Sequence, residues 1–154
     1  MAGQGLIFEE AAPDDPRAVD LYRAHTRRGA EALGIPALEP TTVSSGLQPP
    51  SGLLLLATLD GEPVAIGGVR DLAGPTAELK AMYVAPSARR RGIGRHLLVR
   101  LEEIAASRGC AAARLDTLAA LQGAIALYES QGYERIADYN ESPHADRWYE
   151  RALG

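Results

Sequence analysis

The run Arg89-Arg90-Arg91-Gly92-Ile93-Gly94-Arg95 combines clustered guanidinium groups with two glycines at the entry to a helical pattern. At a helix start the backbone N–H groups lack intrahelical acceptors, and the helix dipole adds partial positive charge. Gly92 and Gly94 carry no side chain to hold an anion away from those groups. The three consecutive arginines add donors matched to phosphate oxygens. The chemistry this combination suits is the cradling of a pyrophosphate.

Spacing excludes the two commonest phosphate loops. After Gly94 come Arg95 and His96, where a P-loop needs Lys followed by Ser or Thr. Three residues beyond Gly94 stands Leu97, where a dinucleotide fingerprint needs a third glycine. What remains is Arg89-x-x-Gly92-x-Gly94, set after Met82-Tyr83-Val84 and before an apolar helical stripe. It resembles the acyl-coenzyme A loop of the GNAT N-acetyltransferase superfamily, whose pattern is Gln/Arg-x-x-Gly-x-Gly/Ala. A second segment, Ala124-Ile-Ala-Leu-Tyr128-Glu-Ser-Gln-Gly132-Tyr133, is similar to that superfamily's Ala-x-x-Leu-Tyr-x-x-x-Gly-Phe segment.

The resemblance carries expectations for individual residues. Transfer of an acetyl group to an amine requires that the amine lose a proton, the thioester carbonyl be polarised and the departing thiolate be stabilised. By resemblance, backbone groups of Met82, Tyr83 and Val84 hold the carbonyl and pantetheine, although Met-Tyr-Val is also ordinary buried-strand sequence. Arg89, Arg90, Arg91, Gly92, Ile93, Gly94 and Arg95 form the pyrophosphate loop. Tyr128 is expected to be the general acid at the sulfur, since a phenol stays protonated at neutral pH. Glu78 matches a strand glutamate that serves as general base in some members; the alternative is a carboxylate paired with a lysine or arginine. Leu121 is a departure, because many relatives place asparagine there; either Gln122 substitutes for that contact or the contact is absent.

These residues need elements to position them. Leu6–Glu10 reads as a strand, followed by a helix from an Asp14 or Asp15 cap to about Leu33, stopped by Gly34 and Pro36. Residues 40–51 carry prolines, serines and threonines and read as loop. Leu53–Leu59, Asp60-Gly61 and Glu62–Val69 form a hairpin pattern, with Gly67-Gly68 marking a bulge or close backbone approach. In the next strand, Thr76–Val84, simple alternation assigns Glu78, Lys80, Met82 and Val84 to one face and Leu79, Ala81 and Tyr83 to the other. A helix from about Gly94 to Arg108, a strand Ala112–Asp116, a helix Leu121–Ser130 and strands Tyr133–Ala137 and Arg147–Ala152 complete the chain. The order β-α-β-β-β-α-β-α-β-β predicts an α/β protein with a central twisted mixed sheet flanked by helices. The superfamily uses the same order.

Composition narrows the function classes. The chain has 154 residues, 46% hydrophobic and 23% charged, which fits one domain spanning 1–154. A formal net charge of −4 argues against a nucleic-acid binder, so the arginine run reads as a local anion site. The single cysteine, Cys110, excludes an intramolecular disulfide, and the three histidines, His25, His96 and His144, show no metal-ligand spacing. No metal and no membrane partner are expected, and the N-terminus lacks the pattern of a signal peptide. A cytoplasmic location fits, and a homodimer is left open.

Together these readings point to an N-acetyltransferase that uses acetyl-CoA to acetylate a primary amine of a small molecule or peptide. The competing reading is a non-catalytic acyl-CoA binding or sensing module; the presence of both Glu78 and Tyr128 favours the enzyme.

Overall fold

The computed structural model describes residues 5–154; the signal-peptide reading falls partly on residues 1–4, which lie outside the described residues. Leu6–Ala11 forms β1 and Pro16–Leu33 forms α1. The cap is Asp15, whose side chain accepts from the Arg17 N–H at 2.9 Å, with Pro16 in the first turn. Such a cap contributes about 1 kcal/mol. Gly34 closes the helix in the left-handed conformation at φ 68°. Strands β2 (Gly52–Leu59) and β3 (Glu62–Asp71) follow as the expected hairpin. Its Asp60-Gly61 turn has positive φ at both residues, the requirement of a tight type I′ connection.

Then come β4 (Thr76–Val84), a single 3₁₀ turn at Pro86–Ala88, α2 (Ile93–Ser107) and β5 (Ala112–Thr117). Helix α3 (Gln122–Ser130) and strands β6 (Glu134–Ile136) and β7 (Arg147–Ala152) end the chain. One sheet of seven strands runs β1-β2-β3-β4-β5-β7-β6. All pairs are antiparallel except β4–β5. Both faces are covered, which explains the nearly unbroken apolar run of β2. Leu55 and Ala57 join Leu97, Leu98 and Leu101 of α2, whereas Leu54 and Leu56 meet Ala18 and Leu21 of α1. Val43 and Leu47, from the stretch read as loop, are buried in the α1 layer.

The simple alternation expected for β4 fails at Ala81. Tyr83 pairs with Ile66 and Lys80 with Gly68, so Ala81 and Met82 together face the single residue Gly67. Ala81 takes φ 57°, a left-handed conformation costing about 1–2 kcal/mol for a residue with a Cβ. This bulge switches the faces. Leu79 shares the α2 side with Met82 and Val84, while Ala81 and Tyr83 turn toward α1. Gly67 and Gly68 allow it by close approach. A Cβ on Gly67 would sit 2.7 Å from Met82 Sδ, and one on Gly68 would sit 2.5 Å from Leu47 Cδ1. Leu47 is fully buried and has nowhere to retreat. Gly68→Ala is therefore expected to lose about 1–3 kcal/mol in a urea titration; unchanged stability would show that the loop carrying Leu47 yields.

Candidate active site

Strand β4 pairs with β5 only from Thr76 to Glu78. Beyond Glu78 the two strands part, and the backbone of Met82–Val84 has no strand beside it on that side. The wedge opens toward the N-terminus of α2. Gly92 caps that helix at φ 75°, and the first intrahelical bond is His96 N–H to the Gly92 carbonyl at 3.1 Å. The N–H groups of Ile93, Gly94 and Arg95 thus precede any intrahelical acceptor. Space above Gly92 is open, since a Cβ there would meet only His96 Cδ2 at 3.9 Å. Gly94 has a different reason to be glycine. A Cβ would lie 3.2 Å from Leu127 Cδ2, so the missing side chain lets α2 approach α3.

A cavity of about 520 Å³ occupies this wedge. Met82, Tyr83, Val84, Arg89, Arg90, Gly92, Ile93, Gly94 and Arg95 all line it, and Arg91 does not. Two of these arginines are partly engaged. Arg89 Nε donates to the Val84 carbonyl at 2.9 Å, and Arg95 donates to Ser130 Oγ and Gln131 Oε1, tying α2 to α3. Open N–H groups, a bare left-handed glycine and adjacent guanidinium groups fit the pyrophosphate of a nucleotide-like ligand.

A second cavity, about 400 Å³, lies between α1 and the C-terminal half of β4 and β5. The two cavities share Arg28, Met82, Leu121, Ala124 and Tyr128. Tyr128 therefore stands at their junction. Helix α3 delivers it, held at its end by Tyr133 N–H to the Tyr128 carbonyl at 3.0 Å and by an edge-on contact with the Tyr133 ring. Glu102 of α2 anchors that end, accepting from Tyr133 Oη at 2.7 Å and from Arg151 Nη1 at 3.0 Å. Among the described residues nothing hydrogen-bonds the Tyr128 hydroxyl. Burial pushes its pKa up to about 12, offset in part by Arg28 and reinforced by Asp116. The phenol is protonated across the physiological range.

Glu78 lies at the narrow end of the wedge and lines neither cavity. Its side chain is fully buried. Arg70, its cross-strand partner, donates to Oε1 from Nε at 2.8 Å and Nη2 at 2.7 Å. Tyr139 Oη donates to Oε2 at 2.6 Å, and Asn140 Nδ2 approaches the same oxygen at 3.3 Å. Burial alone would raise its pKa, but the Tyr139 bond, the Lys80 charge and the Arg70 pair outweigh it, leaving the carboxyl below the ordinary glutamate value.

Three cavity residues escaped the sequence reading as site residues. Arg28 lies over the Tyr83 ring at 5.2 Å, and its buried Nε has no hydrogen-bond partner among the described residues. Asp116, the penultimate residue of β5, lies beside Lys80, 3.9 Å from its Nζ, and accepts from Asn140 Nδ2 at 2.6 Å. His25, held largely uncharged by burial with a pKa near 4, lines the wall between Arg28 and Lys80. The signal was present in α1. Tyr22, His25, Thr26 and Gly29 recur at the 3, 4 and 7 spacing of one helix face, which continues the Ala18 stripe into the C-terminal half of α1. No cluster of three or more His, Cys, Asp or Glu arranged for a metal is found among the described residues, and none of their helices is long and apolar enough to cross a membrane.

The Acetyltransferase (GNAT) family model matches residues 20–133. An uncharacterised N-acetyltransferase of Escherichia coli, YjgM, is 40% identical over 83 residues, which cover 52% of this chain and only 49% of that relative. The aminoglycoside N(6')-acetyltransferase type 1 of Klebsiella aerogenes is 30% identical over 113 residues, covering 73% of this chain and 72% of the relative. A solved structure from Klebsiella pneumoniae, given an unproven acyl-CoA N-acyltransferase assignment, superposes with a TM-score of 0.78 at 28% identity, over 97% of this chain and 98% of that one.

Proposed function

Because the chain belongs to the GNAT acetyltransferase family, we propose that it moves an acetyl group from acetyl-CoA to a primary amine of a small molecule or peptide. The observation that carries this reading is the Tyr128 hydroxyl, unpartnered among the described residues, at the junction of a phosphate-suited cavity and a second cavity. Acetyl-CoA would supply the activated thioester: an N–C bond forms to the acceptor nitrogen, the C–S bond breaks, and, starting from the ammonium form of the acceptor, coenzyme A thiol and one proton are released. The α2 N–H groups with Arg89 and Arg90 bind the pyrophosphate, and the unpaired edge at Met82–Val84 orients the acyl arm. Tyr128 donates a hydrogen bond at the sulfur. With its pKa near 12, complete proton transfer to a thiolate is uphill, so stabilisation by the hydrogen bond is the larger part of its role.

Glu78 acts in this scheme as a positioning residue. A saturated carboxylate with a lowered pKa is a poor base, and the second cavity offers Asp116 or water instead. Glu78 fixes Arg70, Tyr139 and Asn140, and through Asn140 it holds Asp116.

Thermal shift with acetyl-CoA and thiol release over an amine panel test the function. At a ligand concentration about 100 times Kd the coenzyme is expected to stabilise the protein by about 2.7 kcal/mol. Gly92→Val should lose this shift and lower the starting Tm, because valine adds a Cβ at φ 75°. Stabilisation without thiol release for any amine would favour the binding module. Absence of stabilisation would remove the assignment.

A further inference from the structure

The second cavity has an unusual charge pattern for a site that receives an amine. It contains two cations, Arg28 and Lys80, and one carboxylate, Asp116, with the uncharged His25 between the cations and the exposed His144 as its second histidine. Lys80 has Asp116 at 3.9 Å, whereas Arg28 makes no ion pair among the described residues. Its neighbours make isolation costly. The Nε is buried and unpartnered, the guanidinium rests on Tyr83, and Arg89 lies over the same ring at 5.6 Å. A guanidinium in that state is built to receive an oxyanion. Of the three large hydrophobics that the described residues expose, two are at this cavity: Ile35 and Leu38, 43% and 76% exposed.

We propose that the acceptor is an amino acid with an apolar or aromatic side chain, its carboxylate paired with Arg28, its amine directed toward Asp116, and its side chain covered by Ile35 and Leu38. The inference rests on the acetyl-transfer reading. Polyamines and other polycations fit poorly, because they would meet two fixed positive charges and one negative. Arg28 and Asp116 also both act on the Tyr128 hydroxyl, one lowering and one raising its pKa. An acceptor stretched between them would bring its nitrogen to the junction where the acyl group arrives. The reaction product would then be an N-acetylated amino acid, the positive charge of the amine lost and the carboxylate retained.

The test compares acceptors that differ only by the carboxylate: phenylalanine with 2-phenylethylamine, and leucine with isopentylamine. Calorimetry on protein saturated with coenzyme A reads binding, and thiol release with acetyl-CoA reads turnover. Each amino acid is expected to bind tighter than its decarboxylated partner by about tenfold or more, the size of a charge-assisted pair. Arg28→Gln should collapse that ratio toward one, and Arg28→Lys, which keeps the charge but loses the planar fork, should restore part of it. Because the ratio is also read in the wild-type protein, a poorly folding variant does not decide the outcome. Equal or tighter binding of the decarboxylated amines overturns the proposal. So does an Arg28→Gln protein that loses acetyl-CoA affinity while keeping its preference for the amino acid, since Arg28 would then serve the coenzyme. Discrimination in calorimetry with no thiol release upholds the carboxylate site and overturns the transfer reading instead.

Discussion

Tyr128→Phe is expected to lower kcat by about 10²–10³, the cost of losing one hydrogen-bond donor to developing negative charge, with little change in the Kd for acetyl-CoA. The substitution removes one oxygen and keeps the ring, so the edge contact with Tyr133 at 6.0 Å between centroids survives. The hydroxyl makes no hydrogen bond within the described residues, so its loss leaves no protein group unpaired and stability should be nearly unchanged. Its binding partner exists only while the C–S bond breaks. An interaction made only then appears in kcat and in kcat/KM equally. Steady-state rates, with single-turnover measurements to establish that chemistry is limiting, check this. With its pKa held near 12, the phenol should give no falling limb in the pH–rate profile below about pH 10. A kcat within about twofold of wild type would remove Tyr128 from the chemistry. Loss of acetyl-CoA affinity instead would make it a wall of the cavity.

How the sequence announced this site, and where it was silent, follows from the range of the interactions involved. The β2–β3 hairpin was legible because Asp60-Gly61 and the flanking apolar runs are local chemistry. The α2 entry was legible for the same reason: Gly92, Gly94 and the arginines act within one loop. The β4 bulge was not. Thr76–Val84 alternates acceptably in either register, and the switch at Ala81 is imposed by Gly67, Gly68, Leu47 and Leu101 from other elements. Gly67-Gly68 pointed at an irregularity without saying which strand would carry the extra residue. Arg28 was hidden among the arginines of α1, and only folding sets it over Tyr83, fifty-five positions away (83 − 28 = 55). In the sequence Asp116 is only the end of an expected strand. Its partners Lys80 and Asn140 come from β4 and from the loop after β6.

Glu78 is the residue whose environment the sequence could least convey, since its partners lie 8, 61 and 62 positions away. Glu78→Gln keeps the shape and an oxygen to accept from Tyr139, but leaves the Arg70 guanidinium without its carboxylate. Breaking a buried pair from one side costs about 3–5 kcal/mol. Arg70 is 29% exposed and also donates to the Ser45 carbonyl, so the expected loss is smaller, about 2–3 kcal/mol. For a chain of this size that lowers Tm by about 5–10 °C. The pH dependence fixes the sign. The folded carboxyl has a lowered pKa, so its contribution is fully present above the unfolded value of about 4.3 and is lost as pH falls through the lower folded value. The stability gap between wild type and Glu78→Gln should therefore be widest near neutrality and close below about pH 4. The rate profile separates positioning from proton removal. A positioning Glu78 leaves the acidic limb of kcat/KM where it was, with kcat reduced through a loosened Asn140 and Asp116. If Glu78→Gln instead abolished that limb and left Tm unchanged, the carboxylate would be the base after all, and the Arg70 and Tyr139 contacts would have to open during turnover.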